Sequence, residues 1–410
     1  MIDTFLTIML IPLYEIQNRI SQSIHDLPRR YLYDSINFDQ RLVGLIGARG
    51  VGKTTILLQY LKAEFNNPAV ALYISADHIH VEAMGIMEIV AEHHRNGGNV
   101  LVIDEIHKLD KWAQIVKTIY DTYPEMRFII SGSSAFRIKT QGYDLSRRMV
   151  YYHLSGLSFR EFISLKKKIS LPSYSLDDIL MKHREISADL SSRFNIHPLF
   201  REYLVSGYYP FWQEDIAHYP QKIENIIQKI FYEDIPSAFP IKYDAIRQLK
   251  RLLYMIATSD PFQVNISKLA NELHIARESL YQYLDFLDQS FVINRLWKPS
   301  TRKAYQRKPE KLFLQNTNII SYLNPQAKHS KSGKGTLRET FFVTQFLTKS
   351  PLFSSHFADF EDDNHRQYEI DGKSKSQTQL DPNKSGYLFL DDISTGHQNI
   401  IPLYLIGFLY

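Results

Sequence analysis

The stretch "LIGARGVGKTTILLQYL", Leu45 to Leu61, constrains the fold more than any other part of the chain. An apolar run, Leu42 to Ile46, leads into it. Gly47, Gly50 and Gly52 punctuate it, and Lys53 and Thr54 open a segment with helical periodicity. The spacing is G-x-x-x-x-G-K-[ST], a phosphate-binding loop set between a strand and a helix. Glycines allow backbone conformations that a Cβ forbids and let the main chain approach an anion closely. Successive N–H groups then form a cradle, and the start of the helix adds its positive dipole end. The candidate nucleotide contacts are Gly47, Arg49, Gly50, Val51, Gly52, Lys53, Thr54 and Thr55. Lys53 is placed to reach the β- and γ-phosphates, and the Thr54 hydroxyl to ligate Mg²⁺.

Such a loop requires a second element, a buried strand that ends in an aspartate. "NVLVIDEIHKL" supplies it, with Val100 to Ile103 apolar and then Asp104 and Glu105. Asp104 is the candidate for holding Mg²⁺ together with Thr54, and Glu105 for orienting and polarising the attacking water. An acidic pair at the C-terminal end of a strand lies where ligands bind in open α/β sheets. A third strand, "RFIISGSSAF", carries Ser131 and Ser133 at its tip as equal candidates for contact with the γ-phosphate or the water. Helix capping by Ser133 or Ser134 is an equally good reading. Arg147 and Arg148 precede a strand-like run, Met149 to Leu154. They are candidates to stabilise the transferring phosphoryl group, in cis or from a neighbouring subunit of a homo-oligomer. A surface arginine pair explains them as well. The chain lacks a guanine-specific N/T-K-x-D motif, which favours ATP over GTP.

Taken together, "LVGLIGARGVGKTTILLQYL", "LVIDEIHKL", "FIISGSS", "LSGLSFREF" and "YLVSGYYPF" resemble prokaryotic ATPases of the AAA superfamily, of the additional-strand catalytic-glutamate type. The resemblance covers most of the chain. It implies a winged helix and a restriction-endonuclease-like region after the ATPase. One departure is visible. The family often has two glycines before an aromatic–proline pair, whereas Gly207 is followed here by Tyr208, Tyr209 and Pro210. This reads as a variation in packing.

The expected fold is α/β. A P-loop NTPase parallel sheet with a helical lid is followed by a winged helix and a small α/β nuclease-like domain. The corresponding segments are an N-terminal helical segment (1–40), the P-loop core (41–165), a helical lid or linker (166–240), a winged helix (241–323) and a degenerate restriction-endonuclease-like region (324–410). In the winged helix, Leu269 and Leu273 face a core from one helix, and Leu280, Leu284 and Leu287 from the next, with a tight turn at His274 and Ile275 between them. Strand-like runs at Phe291–Trp297 and Lys311–Leu314 flank a loop with Lys298, Arg302, Lys303, Arg307 and Lys308. Such a basic wing suits weak, sequence-independent contact with DNA or RNA. The second helix is poorly basic, so docking to a protein partner stands beside that reading. In the last segment Glu339, Asp359 and either Glu369 or Asp371 with Lys373 have the residue types of a metal-dependent nuclease. The register is ambiguous: with Glu369 as ligand, Asp371 occupies the lysine position. A structural remnant without nuclease activity is the expectation.

Composition sets outer bounds. The 410 residues are 44% hydrophobic and 22% charged, ordinary for a globular protein, and a net charge of +4 does not demand nucleic acid. The absence of cysteine excludes disulfides, a thiolate zinc site and a thiol nucleophile. It fits a reducing cytosol, and a cytoplasmic location is expected. Both terminal apolar runs, "MIDTFLTIMLIPLY" and "NIIPLYLIGFLY", are too short to span a bilayer and read as packed against the body, with no membrane involvement. The expected function is Mg²⁺-dependent ATP hydrolysis that drives a conformational switch of the C-terminal domains. The alternative is an ATP-regulated nucleic-acid-binding protein or nuclease.

Overall fold

The computed structural model describes residues 2–24, 27–65, 67–133, 145, 147–239, 241–259, 265–299, 308–372 and 385–410. Contacts divide the chain into two compact units, Met1–Gly156 and Leu157–Tyr410.

The first unit is built on five parallel strands: β1 (Leu42–Ile46), β2 (Ala71–Ser75), β3 (Val100–Asp104), β4 (Arg127–Gly132) and β5 (Val150–His153). Their order across the sheet is β2-β3-β4-β1-β5. Every residue of β1 and β3 is buried. Strands covered on both faces read as continuous apolar runs, with no alternation. The crossovers include α2 (Lys53–Glu64), α4 (Ile86–Arg95) and α5 (Trp112–Thr122), with a short α3 (Ile79–Met84) ahead of α4. β4 is interposed between the strand that feeds the glycine-rich loop and the strand that ends in Asp104. Its tip therefore lies between those two groups.

The N-terminal segment is one helix, α1 (Ile2–Gln22), followed by a short 3-10 turn at Tyr33–Ser35. Among the described residues no helix is long and apolar enough to cross a membrane. α1 packs beside the edge strand β2. The Gln17 amide donates to the Ala71 carbonyl at 3.0 Å and accepts from the Tyr73 N–H at 2.7 Å. One side chain thus takes the hydrogen bonds that a sixth strand would have taken.

The second unit begins with helices α6 (Phe159–Lys167), α7 (Leu176–Arg193), α8 (Ile196–Ser206) and α9 (Tyr219–Lys229). Next come α10 (Tyr243–Thr258), α11 (Ile266–Leu273) and α12 (Arg277–Gln289), and then an antiparallel pair, β6 (Ile293–Leu296) with β7 (Lys311–Leu314). His274 ends α11 with φ +55°, and Leu269, Leu273, Leu280, Leu284 and Leu287 are all buried. After α13 (Thr317–Leu323) and α14 (Lys331–Leu347) comes a second sheet, β8 (Leu352–Ser354) to β12 (Ile400–Pro402), in sequential order. Within it β9 (Phe360–Asp362) is antiparallel to both neighbours, while β10 (Gln367–Asp371), β11 (Gly386–Leu390) and β12 run parallel. α14 lays Phe342 against Phe360 and Phe389 of this sheet. The apolar end of the sequence, Leu403–Phe408, is a buried 3-10 segment. The division at 156/157 places the segments 166–240, 241–323 and 324–410 in one unit.

A buried polar network ties this unit together. After α8, Gly207 has no room for a side chain: an added Cβ would lie 2.5 Å from the Tyr203 ring. The Asn318 carbonyl oxygen accepts from the Tyr208 N–H (2.8 Å) and the Tyr219 hydroxyl (2.5 Å). Its amide donates to the carbonyls of Tyr203 (3.0 Å) and Leu204 (3.1 Å). Gln315 donates to the Tyr208 hydroxyl and Asn316 to that of Tyr209. The second tyrosine of "SGYYP" is therefore bonded as well as packed. Asn318→Ala removes the acceptor of two interior donors, the Tyr208 N–H and the Tyr219 hydroxyl, while the Tyr203 and Leu204 carbonyls keep the Gly207 N–H and the Ser321 hydroxyl. The expected loss is about 3 kcal/mol, since each unsatisfied buried group costs about 1–3 kcal/mol, read as a fall in the urea midpoint of the full chain. A midpoint within error of the wild type would remove Asn318 from this role.

Candidate active site

The three loop glycines answer to different constraints. Gly50 (φ +78°) and Gly52 (φ +100°) take left-handed backbone that other residues rarely adopt. At Gly47 an added Cβ would sit 2.3 Å from the Leu154 carbonyl oxygen, just beyond β5. Val51 is buried between these glycines and pins the loop to the core. Its carbonyl accepts from Arg30, a buried arginine that also donates to the carbonyls of Ser155 (2.8 Å) and Gly156 (2.9 Å). Lys53 opens α2 and is buried, and its ammonium donates back to the loop carbonyls of Gly47 (2.9 Å) and Ala48 (3.0 Å). Arg49, Thr54 and Thr55 are half-buried and Gly50 is exposed.

Asp104, 2% exposed, gathers the second half of the site. One carboxylate oxygen accepts from the Thr54 hydroxyl at 2.5 Å and the Tyr73 hydroxyl at 2.9 Å. The other accepts from the Ser131 hydroxyl and, at 3.0 Å, from the N–H of Glu105. Burial and the neighbouring carboxylate push the Tyr73 phenol far above its ordinary range, so it remains a donor. Glu105 turns the chain with φ +52° and retains partial exposure. Its carboxylate lies 3.3 Å from His107 Nε2, which is also 3.1 Å from the Ser133 hydroxyl. The two serines thus have different partners: Ser131 bonds Asp104, and Ser133 bonds His107. Thr54 and Asp104 together offer hard oxygen donors, the set that suits Mg²⁺.

Arg147 and Arg148 are not brought to this cluster. They precede β5, which runs parallel to β1, and so stand at the end of the sheet where the strands begin. Lys53, Asp104 and Ser131 lie at the opposite end. Arg148 pairs with Asp121, in the last turn of α5, at 3.3 Å, and Arg147 is exposed. Action in cis on a nucleotide held by the loop is excluded by this placement.

Residues 39–163 match the family model of an AAA domain, and residues 197–330 match that of a domain of unknown function. The parallel sheet of the first unit has a P-loop NTPase fold, and it lies within the residues that match the AAA model. An uncharacterized protein of Methanocaldococcus jannaschii is 27% identical over 293 residues, which are 67% of this chain and 61% of that protein. The chain therefore matches less than two thirds of that relative's length. Among solved structures, AMPPCP-bound DnaA from Aquifex aeolicus is 14% identical with a TM-score of 0.27, covering 68% of this chain and 88% of DnaA. The Hsp104–ADP complex of S. cerevisiae is 16% identical with a TM-score of 0.32, covering 80% and 46% respectively. TM-scores this low leave the fold to be read from the sheet order itself.

Outside the AAA domain, a second group of ionisable side chains converges in the second unit. The Lys311 ammonium, on β7, lies 3.5 Å from the Glu339 carboxylate of α14 and 3.6 Å from that of Asp359. Glu369 on β10 accepts from the Asp359 N–H at 3.1 Å, and Asp359 accepts from the Ile370 N–H at 2.9 Å. Of the two acids, Glu369 is the one that meets Asp359. Asp371 faces Arg338 instead, and Lys373 lies outside the described residues. The cation that faces this group is Lys311, on β7.

Burial, reinforced by Asp359 and opposed by Lys311, pushes the Glu339 carboxyl up to about 8 from 4.5. The folded chain holds this proton more tightly than the unfolded chain does. The associated stability is therefore fully present below about pH 4.5 and is lost as pH rises through about 8. Glu339→Gln should melt with the wild type near pH 4.5 and above it beyond pH 8. Identical melting curves at both ends would show that Glu339 titrates normally.

Proposed function

We propose that the chain binds ATP with Mg²⁺ and hydrolyses it, using the cycle to switch the arrangement of its second unit. The observation that carries this reading is the convergence of Lys53, Thr54, Asp104 and Glu105 on one end of a parallel sheet, where ligands bind in open α/β folds. Loop N–H groups and the Lys53 ammonium bind the phosphates, Lys53 exchanging its two carbonyl acceptors for phosphate oxygens. Thr54 and Asp104 are the residues that would hold Mg²⁺, which supplies charge neutralisation at the phosphates. Glu105, the partly exposed carboxylate, orients the water and accepts its proton. Arg147, exposed on the far end of the sheet, acts only if a second copy of the chain receives it.

A specific observation favours a second reading, in which the second unit acts on nucleic acid. Glu339, Asp359, Glu369 and Lys311 bring together the side-chain types of a metal-dependent phosphodiesterase. The wing beside β6 and β7 adds Lys308 and Lys298, the latter paired with Glu310 at 3.3 Å; Arg302, Lys303 and Arg307 lie outside the described residues.

Lys53→Ala should abolish nucleotide binding, and Glu105→Gln should bind ATP while hydrolysing it roughly a hundred- to ten-thousandfold more slowly. Turnover of Glu105→Gln at the wild-type rate would sink the assignment of the base. Incubation with supercoiled plasmid, linear DNA and single-stranded RNA in Mg²⁺ or Mn²⁺ separates the two readings. Cleavage that is lost in Asp359→Ala and kept in Lys53→Ala supports the second. Intact substrates leave the second cluster a structural role.

A further inference from the structure

Helix α10 buries one side, with Leu249, Leu252 and Leu253 in the core, and turns Tyr243, Arg247, Arg251 and Tyr254 to solvent. These four stand at i, i+4, i+8 and i+11, so they form one stripe along the helix. Tyr243 is 73% exposed and Tyr254 56%. Lys250, half-buried, flanks the stripe. The surface continues onto the turn before α10, where Tyr232 is 46% exposed and the Lys250 ammonium stands 4.3 Å from its ring centre.

Helix stability does not account for these residues. Arg247 lies three residues from Lys250 and four from Arg251, and like charges at those spacings oppose a helix. Among the described residues none of the three pairs with a carboxylate. Lys250 donates to Gln228 at 2.8 Å and to the Tyr232 hydroxyl at 3.1 Å, and Arg251 to the Glu272 carbonyl at 3.4 Å. The acid of α10, Asp244, sits in the first turn, where it complements the helix dipole. Cations on the surface of α7 are treated differently: Lys182 bridges to Asp178 at 2.8 Å and Arg193 to Asp189 at 3.2 Å, each one turn away.

We propose that this face of α10 binds a single strand of nucleic acid, its cations holding phosphates and Tyr243, Tyr254 and Tyr232 stacking unpaired bases. Charge complementarity selects a polyanion, and the exposed rings select one that carries flat bases free to stack. A duplex offers the same phosphates but keeps its bases stacked on each other. From Tyr243 to Tyr254 the helix rises about 16 Å, the length of about five nucleotides stacked about 3.4 Å apart. Stacking of this kind tolerates any sequence. The face is separate from the wing, where Lys298 is paired with Glu310. Binding here rests on the reading in which the second unit acts on nucleic acid, but it needs no cleavage.

The test titrates the full chain with short labelled oligo-dT and oligo-rU strands, with a duplex of the same length and with polyglutamate. The variants are Tyr254→Ala, Tyr254→Phe, Arg247→Glu/Arg251→Glu and Lys298→Glu/Lys308→Glu, each also melted. All five positions are exposed, so the melting temperatures should stay near that of the wild type. Both single strands should bind more tightly than the duplex or polyglutamate, the tighter of the two identifying the sugar of the ligand. Tyr254→Ala should weaken binding roughly tenfold, the scale of one stacked base, and Tyr254→Phe should keep it. Reversing Arg247 and Arg251 should weaken it further and make the log–log salt dependence shallower by about 1.4, the share of two phosphate contacts. Duplex bound as tightly as single strands overturns the proposal. Polyglutamate bound as tightly does so too, and assigns the face to an acidic protein. So does single-strand binding that survives the α10 variants. If that binding disappears in Lys298→Glu/Lys308→Glu, the nucleic-acid reading stands and only its seat is wrong. A wild type that binds no nucleic acid at low salt overturns both.

Discussion

The Asp104 carboxylate is the constraint on which the first unit depends. A buried carboxylate is costly unless its oxygens are supplied with donors. Here the donors come from the first turn of α2, from the edge strand β2, from the interposed strand β4 and from the next residue in the chain. Satisfying one charge therefore fixes four pieces of backbone relative to each other. The loop is braced separately from behind by Arg30, which donates to three main-chain carbonyls.

The second unit is held in a contrasting manner. Its sheet packs on α14 through aromatic rings, but the junction between α8, α9 and α13 is polar. Such a junction has one arrangement that satisfies every group, whereas an apolar one tolerates sliding. The aromatic run after Gly207 thereby becomes a fixed joint in the helical segment.

Much of this was legible in the sequence, for identifiable reasons. Leu42–Ile46 and Val100–Asp104 are recognisable because buried parallel strands are apolar throughout, and the loop because its glycines and lysine are contiguous. Lys311 and its neighbours on β7 read as a wing strand, and nothing local tells that Lys311 meets Glu339 and Asp359 from the far side of a turn and a helix. Arg30 was equally hidden, since bonds to main-chain carbonyls leave no pattern in the partner residues. Tyr73 needed the strand pairing to place its hydroxyl on Asp104. His107 did carry a signal: it stands two residues beyond Glu105 in "DEIHKL", where a tight turn returns a side chain to its neighbour. For Arg147 and Arg148 chemistry alone left a surface pair and a role at the phosphate equally open, and strand direction favours the surface pair within one chain. Residues that precede a parallel strand stand at the opposite end of the sheet from a loop that follows one.

The Gln17 amide on β2 has a counterpart at the other edge. The Tyr31 hydroxyl donates to the His153 carbonyl at 3.2 Å and accepts from the Ser155 N–H at 3.2 Å, bridging the end of β5. Each border of the sheet is thus blunted by a side chain delivered from the first 31 residues. An open border is a template on which another chain can add a strand. With Gln17 and Tyr31 in place, the hydrogen-bonding groups they occupy are withdrawn from such growth. Copies of this domain that associate are then steered toward contacts between side-chain surfaces and away from a shared sheet.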